Sequence, residues 1–228
     1  MTWYDTLAAF DVETTGVDTR TSRIVQACLV IVDATGTVRS RQDWLVDPGV
    51  PIPPQASEIH GITDERVRAE GMPARDAIAE ISAAVRGIFD SGIGLTVYNA
   101  PYDLSLLAAE VRRYGLDWVP RVAPVVDPII IDKRVDRYRR GKRTLTLTAA
   151  HYGVPLDDAH DAGADAIAAV RVAQRIGAMY AEKLPDTVEE LHEAQIAWAA
   201  EQQADFARFM REKLGRDYVS DRAPWPGG

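Results

Sequence analysis

The sequence predicts an α/β domain on a mixed five-stranded sheet flanked by helices, with an amphipathic helix added beyond it. Three observations predict it. Three extended runs come first, strand and helix patterns alternate after them, and a long amphipathic stretch follows a Leu-Pro break. Successive extended runs pair antiparallel, whereas alternation adds parallel strands with helices on the sheet faces.

Residues 6–12 and 23–33 are apolar and β-branched, and a third run over 37–46 follows a hairpin around Gly36, as strands do. Residues 47–54 carry four prolines, which lack the backbone donor a strand needs, so the chain leaves the sheet there for a loop. Ile78, Ile81, Val85 and Ile88 recur at helical spacing between Pro73 and Phe89. Residues 94–99 give the fourth strand, 102–114 a helix and 122–126 the fifth strand. Helical patterns follow over 145–152 and 161–183, the second Ala-rich and so favoured by intrinsic propensity. In 186–214, Val188, Leu191, Trp198, Phe206, Phe209 and Met210 fall roughly on one side of a helix, with Asp186 or Thr187 as N-cap. The expected division is a domain over 1–183 and an extension over 184–228, irregular from Gly215 onward.

The 228 residues are 46% hydrophobic and 26% charged, the balance of an ordered domain with an appendage. The longest apolar run, Ala27 to Val32, is far short of the roughly 20 residues that span a bilayer. No basic-then-apolar segment opens the chain, so a cytoplasmic location without membrane contact is expected. A net charge of −8 argues against a protein that coats nucleic acid, because such binding neutralises phosphates with Lys and Arg. An enzyme that holds only a strand end needs fewer cations. The single cysteine, Cys28, sits in an apolar run and reads as a buried hydrophobe.

Chemistry is concentrated in three acidic clusters. Asp11 and Glu13 end the first strand and point to the same side of it. Acids on one face of an apolar strand repel unless a cation joins them, although a strand reaching the surface would leave them merely solvated. Asp103 follows the fourth strand in Asn99-Ala-Pro-Tyr-Asp103, and Pro101 places it in the first turn of a helix. An Asp there also complements the helix dipole. If these strands are neighbours, both clusters meet at the carboxyl edge of the sheet. In Asp157-Asp-Ala-His160-Asp-Ala-Gly-Ala-Asp165, five residues separate His160 from Asp165, which puts His160 in a loop and Asp165 inside a helix. Asp161 as a simple cap beside a solvated His160 is the plainer alternative. Lys133 to Arg143 holds seven basic residues in eleven, with Arg139, Arg140 and Arg143 as candidate contacts for a nucleic-acid backbone; a solvated loop would look the same.

The clusters match three motifs taken together: Asp11 to Gly16 reads Asp-Val-Glu-Thr-Thr-Gly, Asn99 to Asp103 ends in Tyr-Asp, and His160 to Asp165 reads His-x-x-x-x-Asp. Glu58-Ile-His60-Gly-Ile-Thr63 lies between the first two. As a set they resemble the DEDDh 3′–5′ exonuclease family, which includes the proofreading subunit of bacterial DNA polymerase III, over residues 6–180. The resemblance implies an RNase H-like fold and cleavage of the 3′ end of single-stranded nucleic acid, DNA before RNA, in proofreading or repair. It implies that Asp11, Glu13, Asp103 and Asp165 hold two Mg²⁺ or Mn²⁺ ions and that His160 is the general base. By the same resemblance Thr14 and His60 touch the terminal nucleotide, with Asn99 beside them. Gln55 stands where the nearest proofreading relatives carry an acid, which bears on substrate contacts. The alternatives are an exoribonuclease of the same fold and a catalytically silent RNase H-like binding module. The last helix either docks on its own domain or serves a homodimer or a polymerase partner.

Overall fold

Leu7, Ala8, Ala9 and Phe10 are all fully buried, the mark of a strand covered on both faces. They begin β1 (Leu7–Thr14) in a computed structural model that describes residues 2–156, 159–218 and 223–228. β1 pairs antiparallel with β2 (Ile24–Val32), and β2 antiparallel with β3 (Val38–Asp47). Two seven-residue helices follow, α1 (Pro54–His60) and α2 (Asp64–Glu70). Then come β4 (Met72–Pro73), α3 (Ala74–Ser91), β5 (Gly94–Thr96), α4 (Ala100–Arg113), β6 (Val125–Val126), α5 (Pro128–Val135), α6 (Leu145–His151), α7 (Ala162–Met179) and α8 (Val188–Leu214). β5 runs parallel to β1 and β6 parallel to β5, so the sheet order is β4-β3-β2-β1-β5-β6.

Alternation along β1 divides the core. Ala8, Phe10 and Val12 pack with Ile78, Ile81, Leu104 and Leu107 from α3 and α4 on one face. Leu7 and Ala9 pack with Ile131, Ala166, Val170 and Ala173 from α5 and α7 on the other, together with the buried Cys28. A period of two therefore carries Asp11 and Glu13 to the α7 side. The Ala-rich composition of α7 suits that side, because short side chains let a helix lie close against β1 and β2.

The sheet has six strands rather than five. β4 is two residues long and pairs with Val46 and Asp47, too short to leave a periodic signal. The proline-rich segment ends sooner than expected, with Pro54 opening α1 at a position where its missing N–H costs nothing. α5 is also a helix that the sequence pattern does not predict. Asp127 caps it, its side chain accepting from the Ile129 N–H, and Pro128 starts it.

α8 packs against its own chain. His192 Nδ1 accepts from the Val125 N–H (3.1 Å), and Gln195 accepts from the Asp127 N–H (2.7 Å) while donating to the Val125 carbonyl (2.9 Å). These contacts satisfy the outer edge of β6, which would otherwise be an open strand edge. Thr187 and Glu190 form a capping box at the helix start. No helix among the described residues is long and apolar enough to cross a membrane.

Candidate active site

Asp11 and Glu13 project from β1 opposite Cys28 and Gln26 of β2. Between Glu13 and Thr14 the register shifts, and such a bulge re-aims the next side chain. Thr14 is buried, its hydroxyl 2.7 Å from the Tyr102 hydroxyl and donating to the Gly16 carbonyl at 2.8 Å. Tyr102 also donates to the Gly16 carbonyl at 2.6 Å, so it fastens the turn after β1 to the first turn of α4. Burial pushes its phenol up to about 12. Asp103, one residue on, is buried at 4% exposure.

The third cluster closes over the same edge. Asp161 is the N-cap of α7, accepting from Ala164, and Asp165 lies in the first turn. Gln26 donates to Asp161 Oδ2 (3.2 Å) and accepts from the Ala162 N–H (3.3 Å), tying the start of α7 to β2 beside Glu13. His160 precedes the helix in the left-handed region at φ 73° and is exposed, and its backbone N–H donates to Asp165 Oδ2 at 3.3 Å. Asp157 and Asp158 of the same motif lie outside the described residues. Asp161 caps the helix, and His160 lies within reach of Glu13 and Asp165.

Glu13, His160 and Asp165 each offer a ligand atom, and these atoms lie within 4.8 Å of one another. Asp11 and Asp103 stand outside that group but share its electrostatics. Burial, followed by the charges of Asp103, Asp165 and Glu13, holds Asp11 well above the usual carboxylate range. Burial and then Asp165 and Asp161 push Glu13 up to about 8. Burial also raises Asp103 and Asp165. Asp165 Oδ1 is buried without a hydrogen-bond partner among the described residues. Four mutually repelling carboxylates with an unsatisfied oxygen and an adjacent imidazole fit a divalent cation that prefers hard oxygen donors.

His60 ends α1 with Nδ1 accepting from the Ile62 N–H (3.1 Å). Burial lowers its pKa, a hydrogen bond to the Thr14 backbone opposes the shift, and His160 adds to it. Asn99 is the N-cap of α4, at φ 67°. The basic run is placed differently from its expected role. Arg139 and Arg143 turn inward onto the buried Asp132 and are only 11% and 12% exposed. Arg137 pairs with Asp205 of α8. Arg140 alone of the three candidate contacts is exposed.

Tyr102, Gln26 and Asp127 are the positions that sequence reasoning did not assign. Tyr102 stood inside the second motif, Gln26 was the polar residue of an apolar strand, and Asp127 preceded a proline in a capping position.

The chain belongs to the RNase_T exonuclease family, whose model matches residues 8–173. A DNA polymerase III subunit epsilon-like protein of Rhodobacter capsulatus is 31% identical over 174 residues, 75% of this chain and 23% of the relative. The first curated relatives are much longer, and the chain spans only 11 to 23% of their length. Escherichia coli exonuclease I in complex with a dA16 oligonucleotide superposes with a TM-score of 0.67 at 18% identity, covering 89% of this chain and 45% of that one. The nuclease domain of 3′hExo, a DEDDh family member bound to rAMP, gives 0.65 at 16% identity, covering 78% and 94%. The fold is RNase H-like.

Proposed function

We propose that this chain is a metal-dependent 3′–5′ exonuclease that releases nucleoside 5′-monophosphates from the 3′ end of single-stranded DNA. One observation carries the reading: acids from β1, α4 and α7 converge with His160 at one sheet edge, at a cost in mutual repulsion that a binding module has no reason to bear. Asp11, Glu13, Asp103 and Asp165 would hold two divalent cations, Mg²⁺ or Mn²⁺, which stabilise charge on the attacking and leaving oxygens. His160, on the exposed side of the acids, takes the proton from the attacking water. Thr14 and His60, joined by Asn99, bound the space for the terminal nucleotide, and Arg140 contacts the backbone further along the strand.

Residues 1–183 carry this site, and 184–228 form an extension docked on it. The epsilon-like relative favours a polymerase setting. The second reading, an exoribonuclease, is favoured by the rAMP held in the 3′hExo domain. End-labelled DNA and RNA oligonucleotides incubated with Mg²⁺ or Mn²⁺ test both. A ladder shortening from the 3′ end of DNA is expected, and absence of cleavage of either polymer with either metal would refute the proposal.

A further inference from the structure

Asp127 is fully buried at the end of β6, and every oxygen lone pair it offers is engaged by a named donor. Oδ1 accepts from the N–H groups of Asn99 and Ile129, both at 3.1 Å. Oδ2 accepts from the Ala100 N–H at 3.0 Å and from the Trp225 indole at 3.2 Å. Its own N–H is held by Gln195 at 2.7 Å. Two of these donors, Asn99 and Ala100, form the turn that launches α4. Asn99 adopts left-handed backbone angles (φ 67°, ψ 49°), a conformation that costs a non-glycine residue free energy and persists only where surroundings enforce it. Asp103 stands four residues later, in the first turn.

Residues 225–228 are seated on this turn from outside. Gly228 N–H donates to Ser105 at 3.3 Å. At Gly227 (φ 91°) an added Cβ would lie 2.8 Å from Pro101 Cα, so no larger residue fits there without displacing the segment. The Trp225 ring lies 5.1 Å from the His192 ring, which also binds β6.

We propose that Asp127 is a positioning residue for Asp103, and that Gln195, Trp225 and Gly227 hold it there, making the segment beyond residue 184 a working part of the site. This rests on the exonuclease reading and deepens it. A carboxylate that meets metal and substrate from a helix start depends on where that start is fixed, and misplacement by about 1 Å can cost roughly 10²-fold in rate.

The test compares the chain with Trp225→Phe, which keeps an aromatic ring and removes the N–H, and with Gly227→Ala, which leaves every hydrogen-bonding side chain in place. Asp127→Asn is the third variant. Four quantities are measured: kcat and KM on an end-labelled single strand, Mn²⁺ affinity by calorimetry, melting temperature, and amide hydrogen exchange at Ala100 and Asp103. We expect kcat to fall about tenfold in Trp225→Phe and Gly227→Ala and further in Asp127→Asn, with KM nearly constant, weaker Mn²⁺ binding and faster exchange at both amides. Variants that lose melting temperature alone, with kcat and Mn²⁺ affinity as in the wild type, would overturn the inference. A wild-type chain that cleaves no 3′ end would instead refute the exonuclease reading. The exchange rates then decide the positioning role by themselves: faster exchange in Trp225→Phe supports it, and unchanged exchange overturns it.

Discussion

Asp132, fully buried, accepts from the guanidinium groups of Arg139 and Arg143 at 2.5 and 2.6 Å. Tyr152 donates to its other oxygen at 2.7 Å. A strongly basic loop is thereby turned into a bolt between α5 and α6. Removing one partner of a buried pair leaves a charge without compensation, which costs about 3–5 kcal/mol. Arg143→Ala should lower the unfolding free energy by less than that, because Arg139 and Tyr152 remain on Asp132, and should leave the salt dependence of oligonucleotide binding unchanged. Arg140→Gln should do the reverse, preserving stability while flattening the slope of log K against log salt by about one unit. Chemical denaturation and binding titrations over a salt series check both.

Asp165→Asn, Asp11→Asn and Glu13→Gln should each abolish cleavage while leaving the fold intact. In metal-free buffer each should raise the melting temperature, because a neutral amide relieves the burial penalty and the repulsion that raise these pKa values. Added Mn²⁺ should stabilise the wild type and do so less for the variants. A variant that melted lower without metal and retained cleavage would count against the site.

The same burial, with the repulsion beside it, sets a pH dependence. Glu13 titrates near 4.5 when unperturbed and at about 8 in the folded chain, so the folded state holds a proton that the unfolded state has released across that window. Stability must then fall as pH rises from about 4.5 to 8, since it falls wherever the native state binds more protons. Asp11, Asp103 and Asp165 shift in the same direction and steepen the decline. Thermal melts in chelator should show the slope, and saturating Mg²⁺ should flatten it.

His160→Ala should retain metal and DNA binding and lose roughly 10²- to 10⁴-fold in turnover, the usual contribution of a positioned general base. The acidic limb of the rate profile should flatten with it. His151 lies in α6, 3.7 Å from Asp136 and away from the acids. His151→Ala should leave the rate profile as it was, and rate measurements across pH distinguish the two histidines.

Local patterns disclosed much of this. β1, β2 and β3 announce themselves by extended, apolar and β-branched runs, α3 and α8 by helical period, and α7 by its Ala-rich composition. The two-residue β4 and the helices α1, α2 and α5 escape because they lie in no longer patterned run, whereas the equally short β6 and α6 fall inside runs over 122–126 and 145–152. Asp11 and Glu13 share a face by strand geometry alone, and loop and helix signals alone separate His160 from Asp165.

What the sequence by itself determined is therefore which residues are strands, which are long helices, and which acids could meet. The tertiary structure decided which partner each charge finds. Arg139 and Arg143 look identical to Arg140 along the chain, yet a buried carboxylate in the preceding helix takes two and leaves the third exposed. Gln195 and Trp225 carry no motif, yet they reach Asp127 across 68 and 98 residues. Periodicity is a property of neighbours in sequence, whereas desolvating a charge is settled only by whatever distant groups packing brings within hydrogen-bond reach.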